Sequence, residues 1–139
     1  MYFEDLTQFS YLKFLHPKDL PPNLLNIGWL DQEHDFPKKK TDSKILEIIK
    51  KMILTERSLN MTRGFHFCEF CEIIHPEDGC HMPVELECNG ENLFLGSGII
   101  IVQCKTHSYA FPNLMHHYIS EHNYKPPDVF IQDIMLYNL

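Results

Sequence analysis

The chain has 139 residues with 12 basic and 19 acidic side chains, which give a formal net charge of −7. Its apolar fraction of 44% and charged fraction of 22% are those of an ordinary globular domain, which excludes a disordered or fibrous protein. Domains commonly have about 150 residues, so we predict a single domain over residues 1–139. The acidic balance disfavours a general nucleic-acid binder, because such proteins use Lys and Arg to neutralise phosphates.

The N-terminal residues and the cysteine count together predict where in the cell the protein is located. No apolar run approaches the roughly 18 residues that a membrane helix needs, and the N-terminal residues lack the basic and then apolar order of a signal peptide. The five cysteines are an odd number, and a disulfide framework is not expected without export. We expect a cytoplasmic protein without membrane contact, whose cysteines are buried thiols or metal ligands.

Charge is unevenly distributed along the chain. Residues 38–63 contain eight basic and three acidic side chains, whereas residues 64–139 contain two basic and ten acidic ones. The simpler interpretation of the basic segment is a solvated turn and outer helix face. The alternative is a patch for phosphates or an acidic partner.

The predicted elements begin with an aromatic N-terminal segment. Pro17, Pro21 and Pro22 exclude a long helix in residues 1–37, so short strands and turns are expected there. A helix is predicted over residues 43–55, after the cap candidates Thr41 and Asp42. Its apolar side chains recur at the spacing of one helical face: Ile45, Leu46, Ile48, Ile49, Met52 and Ile53.

Two antiparallel hairpins and two helices are predicted in the second half. Alternating apolar residues over 84–88, followed by a turn at Asn89-Gly90, indicate the first hairpin. The β-branched run 98–104 and the segment 108–111 indicate the second. One helix is expected to begin at Pro112 and to end near His122, and another to begin at residues 126–128 and to reach the end of the chain. The fold class is therefore a small α+β domain with about three helices.

The strongest functional pattern consists of Cys and His. Cys68 and Cys71 are separated by two residues at a predicted tight turn, as in a zinc knuckle. His117 and His122, with four residues between them, have the spacing of the His pair in two-Cys two-His zinc sites. The gap between the two pairs is 45 residues, against about a dozen in a classical finger. This pattern predicts that a knuckle and a C-terminal helix share one metal ion.

One geometric condition applies to the His pair. Residues five apart on an ideal helix differ in direction by about 140°. His117 and His122 can converge only if the helix end departs from ideal geometry, and Asn123 and the Pro126-Pro127 pair favour a helix end there. His116 is one residue off and is expected to point elsewhere.

Four protein ligands leave no open coordination position, so the predicted ion is a structural Zn²⁺. The alternative is that no metal binds, that the cysteines are buried thiols and that the histidines are capped or solvated. A third hypothesis is a catalytic zinc ion, in which a further histidine replaces one of the four ligands. Four histidines could do so: His66, His75, His81 and His107. Cys80 and Cys104 are better explained as packed apolar residues.

A second candidate surface combines two segments. Asp31 and His34, after an apolar run, could form an acid–base pair or contact a partner, and a surface turn explains them equally well. Arg63 beside His66 could orient an anion, although an ion pair with a carboxylate is the commoner role.

Four segments together resemble a family of small uncharacterised bacterial proteins. The segments are 2–6 (YFEDL), 26–31 (NIGWLD), 62–71 (TRGFHxCxxC) and 117–127 (HYIxxHxYxPP). The resemblance implies a bacterial origin and agrees with Cys68, Cys71, His117 and His122 as ligands. It implies no reaction, because the family has no established activity.

Three functions remain as hypotheses. The leading one is a zinc-stapled protein that binds another macromolecule, such as an immunity or adaptor protein that recognises a basic partner. The second is a zinc-dependent hydrolase with a site near His66, Asp31 and His34. The third is a weak nucleic-acid binder that uses the basic segment 38–51. The oligomeric state does not follow from the sequence.

Overall fold

A computed structural model describes residues 2–9, 20–55, 57–60, 68–74, 84–88 and 90–137, with only the backbone described for 57–60 and 72–74. The fold is mixed α+β, as predicted. The described elements, in chain order, are β1 (Leu24–Asn26), α1 (Ser43–Thr55), β2 (Arg57–Asn60), α2 (Glu69–Ile74), β3 (Val84–Cys88), β4 (Glu91–Leu95), β5 (Gly98–Gln103), β6 (Ser108–Pro112), α3 (Met115–His122) and α4 (Asp128–Met135).

The strands form two sheets. A four-stranded sheet has the order β1-β6-β5-β2, and β3 and β4 form a separate two-stranded sheet. Both predicted hairpins are confirmed, since β3 pairs antiparallel with β4 and β5 with β6. The short strand β1 instead pairs parallel with β6, with Leu24 opposite Ser108.

The central strands β5 and β6 separate two apolar layers, because successive side chains of a strand point to opposite faces. Ile100, Val102, Tyr109 and Phe111 belong to the larger layer, which includes the buried side chains of α1, α3 and α4. Ile99, Ile101 and Ala110 pack in the smaller layer with Phe9, Leu24 and Trp29 of the N-terminal segment. The N-terminal segment thus covers one face of the sheet, and the helices cover the other.

Helix α1 spans the predicted residues 43–55. Its buried side chains are Ile45, Ile49, Met52 and Ile53, which confirms the helical periodicity. The Asp42 carboxylate accepts the backbone N–H of Lys44 at 2.9 Å, so Asp42 satisfies one of the free donors at the helix start.

Two predicted helix boundaries were wrong. Pro112 is the last residue of β6, opposite Ile99, and α3 begins at Met115. A proline is tolerated at this strand end because the pairing of β6 with β1 stops at Ala110, so no ladder donor is lost on that side. Helix α4 ends at Met135 rather than at the chain end.

The described residues include four helices where about three were predicted. The additional one is α2, which occupies the place of the predicted tight turn at the cysteines. The predicted turn at Gly64 and the predicted loop 75–81 lie outside the described residues.

Candidate metal centre

The four predicted ligands converge. One potential ligand atom from each of Cys68, Cys71, His117 and His122 lies within 4.8 Å of all the others. Cys68 Sγ is 3.3 Å from Nε2 of His122, and Cys71 Sγ is 3.2 Å from Nε2 of His117 and 3.5 Å from that of His122. In the described part of the chain no other group of three or more such residues occurs. Two thiols and two imidazoles at these distances can bind a metal ion.

The start of α2 positions the two sulfurs. Cys68 precedes the helix and Cys71 lies in its first turn. The Cys68 sulfur accepts backbone N–H groups of Cys71 and Phe70, in the way that a cap residue satisfies the first donors of a helix. Burial raises the pKa of the Cys68 thiol to about 12, although these N–H groups act in the opposite direction. Metal binding would therefore have to displace a proton that the apolar surroundings hold in place.

The end of α3 brings the two histidines together. Asn123, with φ 57°, is left-handed, and its backbone N–H bonds to the carbonyl of Tyr118 five residues earlier. An i→i+5 bond widens the last turn, so residues five apart lie closer to one face than they would on an ideal helix. The imidazole centroids are 5.0 Å apart. The predicted departure from ideal helix geometry is thus present at the helix end.

Both imidazoles are held in the form that binds metals. Burial lowers the pKa of His117 to about 4, with further lowering by His122 and His116. Burial also lowers the pKa of His122. Both rings are therefore neutral at physiological pH, as metal ligation requires.

Phe70 connects the two halves of the cluster. Its ring lies against His122 and Tyr118, with centroids at 5.4 and 5.7 Å, and against Phe36 at 5.2 Å. Cys68 is only 3% exposed, whereas Cys71 is half-buried. One side of the centre is therefore closed by aromatic rings, and Cys71 lies nearer to solvent.

The predicted Asp31–His34 pair forms beside this centre. Asp31 Oδ1 is 2.7 Å from Nδ1 of His34, whose ring stacks on Tyr2 at 3.8 Å. The backbone N–H of Gln32 donates to the Glu69 carboxylate of α2 at 2.9 Å, which ties this turn to the cysteines. Burial acts to raise the pKa of Asp31, but the bond and charge of His34 and two backbone N–H groups outweigh it, so the pKa is lowered. Arg63 and His66 lie outside the described residues.

The other Cys and His residues that are described do not join the cluster. His116 is not part of the group, which agrees with its predicted place outside the site. Burial and the charge of Lys50 on α1 lower the pKa of His116. Cys88 lies on β3, and Cys104 follows β5. Nδ1 of His107 lies 3.6 Å from Oδ2 of Asp133, away from the cluster. Cys80, His75 and His81 are outside the described residues.

The basic segment runs along the same end of α3. Lys38, Lys39 and Lys40 are exposed. The backbone N–H of Lys39 donates to the carbonyl of Asn123 at 2.9 Å, and that of Lys125 donates to Pro37 at the same distance. Lys44 and Lys51 of α1 are also exposed, as both interpretations of the basic segment require.

Two polar clusters, one around the buried Asp133 and one around the partly buried Asp5, were not predicted. Asp133 is 3% exposed and accepts hydrogen bonds from Thr106 and from Tyr109, the latter at 2.6 Å. Asp5 accepts the backbone N–H of Gly28 at 3.0 Å and the hydroxyl of Tyr124 at 2.7 Å. The only sequence signal was the position of Asp133 on the apolar face of its helix, three residues after Phe130. No feature of the sequence around Asp5 predicted its contacts with Gly28 and Tyr124.

A comparison with protein families matches this chain. The model of a domain of unknown function, DUF7919, covers residues 1–135. The chain belongs to the DUF7919 family. The match includes all four residues of the Cys and His cluster, and it is consistent with the predicted resemblance to a family without established activity. Neither the curated proteins nor the solved structures gave a match to this DUF7919 domain.

The helices give one result about membranes. Among the described residues, no helix is both long enough and apolar enough to cross a bilayer.

Proposed function

We propose that Cys68, Cys71, His117 and His122 bind one structural Zn²⁺. A tetrahedral zinc, with Zn–S of about 2.3 Å and Zn–N of about 2.0–2.1 Å, places sulfur and nitrogen ligands about 3.5 Å apart. The three sulfur–nitrogen distances of 3.2, 3.3 and 3.5 Å support this ion. Mixed thiolate and imidazole ligands also favour zinc over the oxygen-preferring calcium and magnesium.

A structural role follows from the number of ligands. Four protein ligands complete the tetrahedron, so the ion would have no position at which to activate water. The ion would instead join α2 to α3. Helix α2 has six residues, far fewer than the roughly 12 that a marginally stable isolated helix needs, so such a link would stabilise it.

The function that we propose for this zinc-stapled domain is to bind a basic macromolecule, as an immunity or adaptor protein would. The β3–β4 hairpin offers the surface. Glu85 and Glu87 are exposed, while the alternate residues Val84 and Leu86 pack against the core. Phe94, 46% exposed, lies opposite Glu85 in the register. Carboxylates attract Lys and Arg, and an aromatic face can bind a guanidinium.

Charge neutralisation tests this surface. The probe is a short labelled peptide rich in Arg and Gly, titrated with the full chain at low and moderate salt. The variant Glu85→Gln/Glu87→Gln/Glu91→Gln should bind the peptide several-fold more weakly and with a smaller salt dependence. The control Glu4→Gln/Asp35→Asn/Glu47→Gln removes the same charge from other exposed sites. Equal losses in both variants would show that net charge, and not the hairpin, determines binding.

A second function has one specific observation in its favour. The Asp31–His34 contact of 2.7 Å orients an imidazole that is 47% exposed, which is the arrangement of a general base. A zinc-dependent hydrolase would need this base beside an open metal position. Hydrolysis of p-nitrophenyl acetate or p-nitrophenyl phosphate by the zinc-loaded chain, lost in His34→Ala with the metal retained, would support it. Equal rates in His34→Ala and the unmodified chain would contradict it.

A further inference from the structure

We propose that Cys68 and Cys71 are a reversible modification site, at which a hydroperoxide forms a disulfide and releases the metal. The inference rests on the zinc site proposed above and adds its regulation. The two sulfurs have unequal access to solvent, and both lie at the start of the short helix α2. The other two ligand candidates belong to a different helix, α3.

The difference in exposure assigns the order of the steps. Cys71 is half-buried, whereas Cys68 is 3% exposed, so a peroxide reaches the Cys71 sulfur first. The Cys71 thiolate attacks one peroxide oxygen, an S–O bond forms as the O–O bond breaks, and the departing oxygen takes a proton. Cys71 is then a sulfenic acid.

The second step closes the disulfide. The Cys68 sulfur attacks the Cys71 sulfur, an S–S bond forms, and the S–O bond breaks with release of water after a proton is taken up. With hydrogen peroxide, two thiolates, one peroxide and two protons give one disulfide and two waters. The metal leaves as Zn²⁺ without a change of oxidation state.

The geometry allows this closure without a large rearrangement. The two sulfurs belong to a cluster whose ligand atoms lie within 4.8 Å of one another, and the S–S bond of a disulfide is about 2.05 Å long. The cysteines are three residues apart at the start of α2, so a change of side-chain rotamers supplies most of the approach.

Oxidation would remove the link between the two helices. His117 and His122 would remain on α3 as two nitrogen ligands, half of a tetrahedral set. Helix α2 would retain the Phe70 ring contacts and the bond from Gln32 to Glu69. The disulfide would thus convert a metal-anchored helix into one that is held by few contacts.

The test uses the full chain loaded with Zn²⁺ and a variant that keeps only this pair, Cys80→Ser/Cys88→Ser/Cys104→Ser. Hydrogen peroxide is added, released zinc is measured with a chromogenic chelator, and disulfides are located by mass spectrometry. Both proteins should release one zinc for each Cys68–Cys71 disulfide formed. Dithiothreitol followed by Zn²⁺ should restore metal binding.

The outcomes separate this inference from the proposed function. Retention of zinc by the pair-only variant under peroxide would overturn the inference and leave the structural zinc site intact. Zinc release with sulfinic acid at Cys71 and without a disulfide would also overturn it. A chain that never binds added Zn²⁺ would overturn both proposals.

Discussion

The hydroxyl of Tyr124 donates a 2.7 Å hydrogen bond to the carboxylate of Asp5, 119 residues away in the sequence. Tyr124 is fully buried and follows the metal-ligand candidate His122 by two residues. The other oxygen of Asp5 accepts the backbone N–H of Gly28. This pair therefore fixes the N-terminal segment against the chain that leaves α3.

The first prediction concerns this contact. Tyr124→Phe removes the hydroxyl donor and leaves one oxygen of the partly buried Asp5 carboxylate without a hydrogen bond. The free energy of unfolding should therefore fall by about 1–3 kcal/mol. Urea denaturation measures this change. Tyr2→Phe is the control, because it keeps the ring that stacks on His34 at a partly exposed position, and it should change stability by about 0.5 kcal/mol or less. Equal losses would contradict the assignment.

Two glycines allow a matched comparison. Gly28 and Gly90 both have positive φ, at 74° and 84°. An added Cβ at Gly28 would lie 2.7 Å from Cγ and Sδ of the buried Met115, whereas nothing lies within 4 Å at Gly90. Gly90→Ala should cost about 1–2 kcal/mol from backbone strain alone. Gly28→Ala should cost more, because Met115 must also move, and equal costs in denaturation experiments would refute this packing argument.

Asp133 gives a prediction about pH. Burial acts to raise its pKa, but hydrogen bonds from Thr106, Tyr109 and His107 outweigh burial, so the pKa is lowered. The stability that the ionised carboxylate contributes is present above the unfolded pKa of about 3.9, and it is lost as the pH falls through the folded value. The stability advantage of the unmodified chain over Asp133→Asn should therefore shrink on acidification below about pH 4.

Asp5 should show the opposite pH dependence. Burial raises its pKa despite the bonds from Gly28 and Tyr124. Its contribution is therefore greatest below the unfolded pKa and is lost as the pH rises through the folded value. The stability of the unmodified chain relative to Asp5→Asn should grow on acidification, and parallel pH profiles for the two Asn variants would contradict the two assignments.

Local patterns predicted the elements that local forces determine. Helix α1 followed from the spacing of Ile45, Ile49 and Met52, and the β5–β6 hairpin followed from its β-branched run. The convergence of the two Cys and two His side chains was predictable for a different reason. Cys and His at narrow spacings are the residues that tetrahedral metal sites use, so their types indicated which four side chains come together before any fold was known.

The remaining features depend on contacts between distant segments. The parallel pairing of Leu24 with Ser108 has no signal in either segment. The burial of Asp133 depends on Thr106 and Tyr109, which belong to another element. Helix α2 does not follow from the sequence, because its six residues are too few to show a clear periodicity.

The zinc content of the purified full chain tests the central claim most directly. It should be compared with Cys68→Ser and His117→Ala, and with the controls Cys88→Ser and His116→Ala, which lie outside the cluster. We predict about one zinc per chain in the unmodified protein and in both controls, with the metal lost and the thermal midpoint lowered in the two ligand variants. No zinc in the unmodified protein after incubation with Zn²⁺, or full zinc content in both ligand variants, would contradict the account.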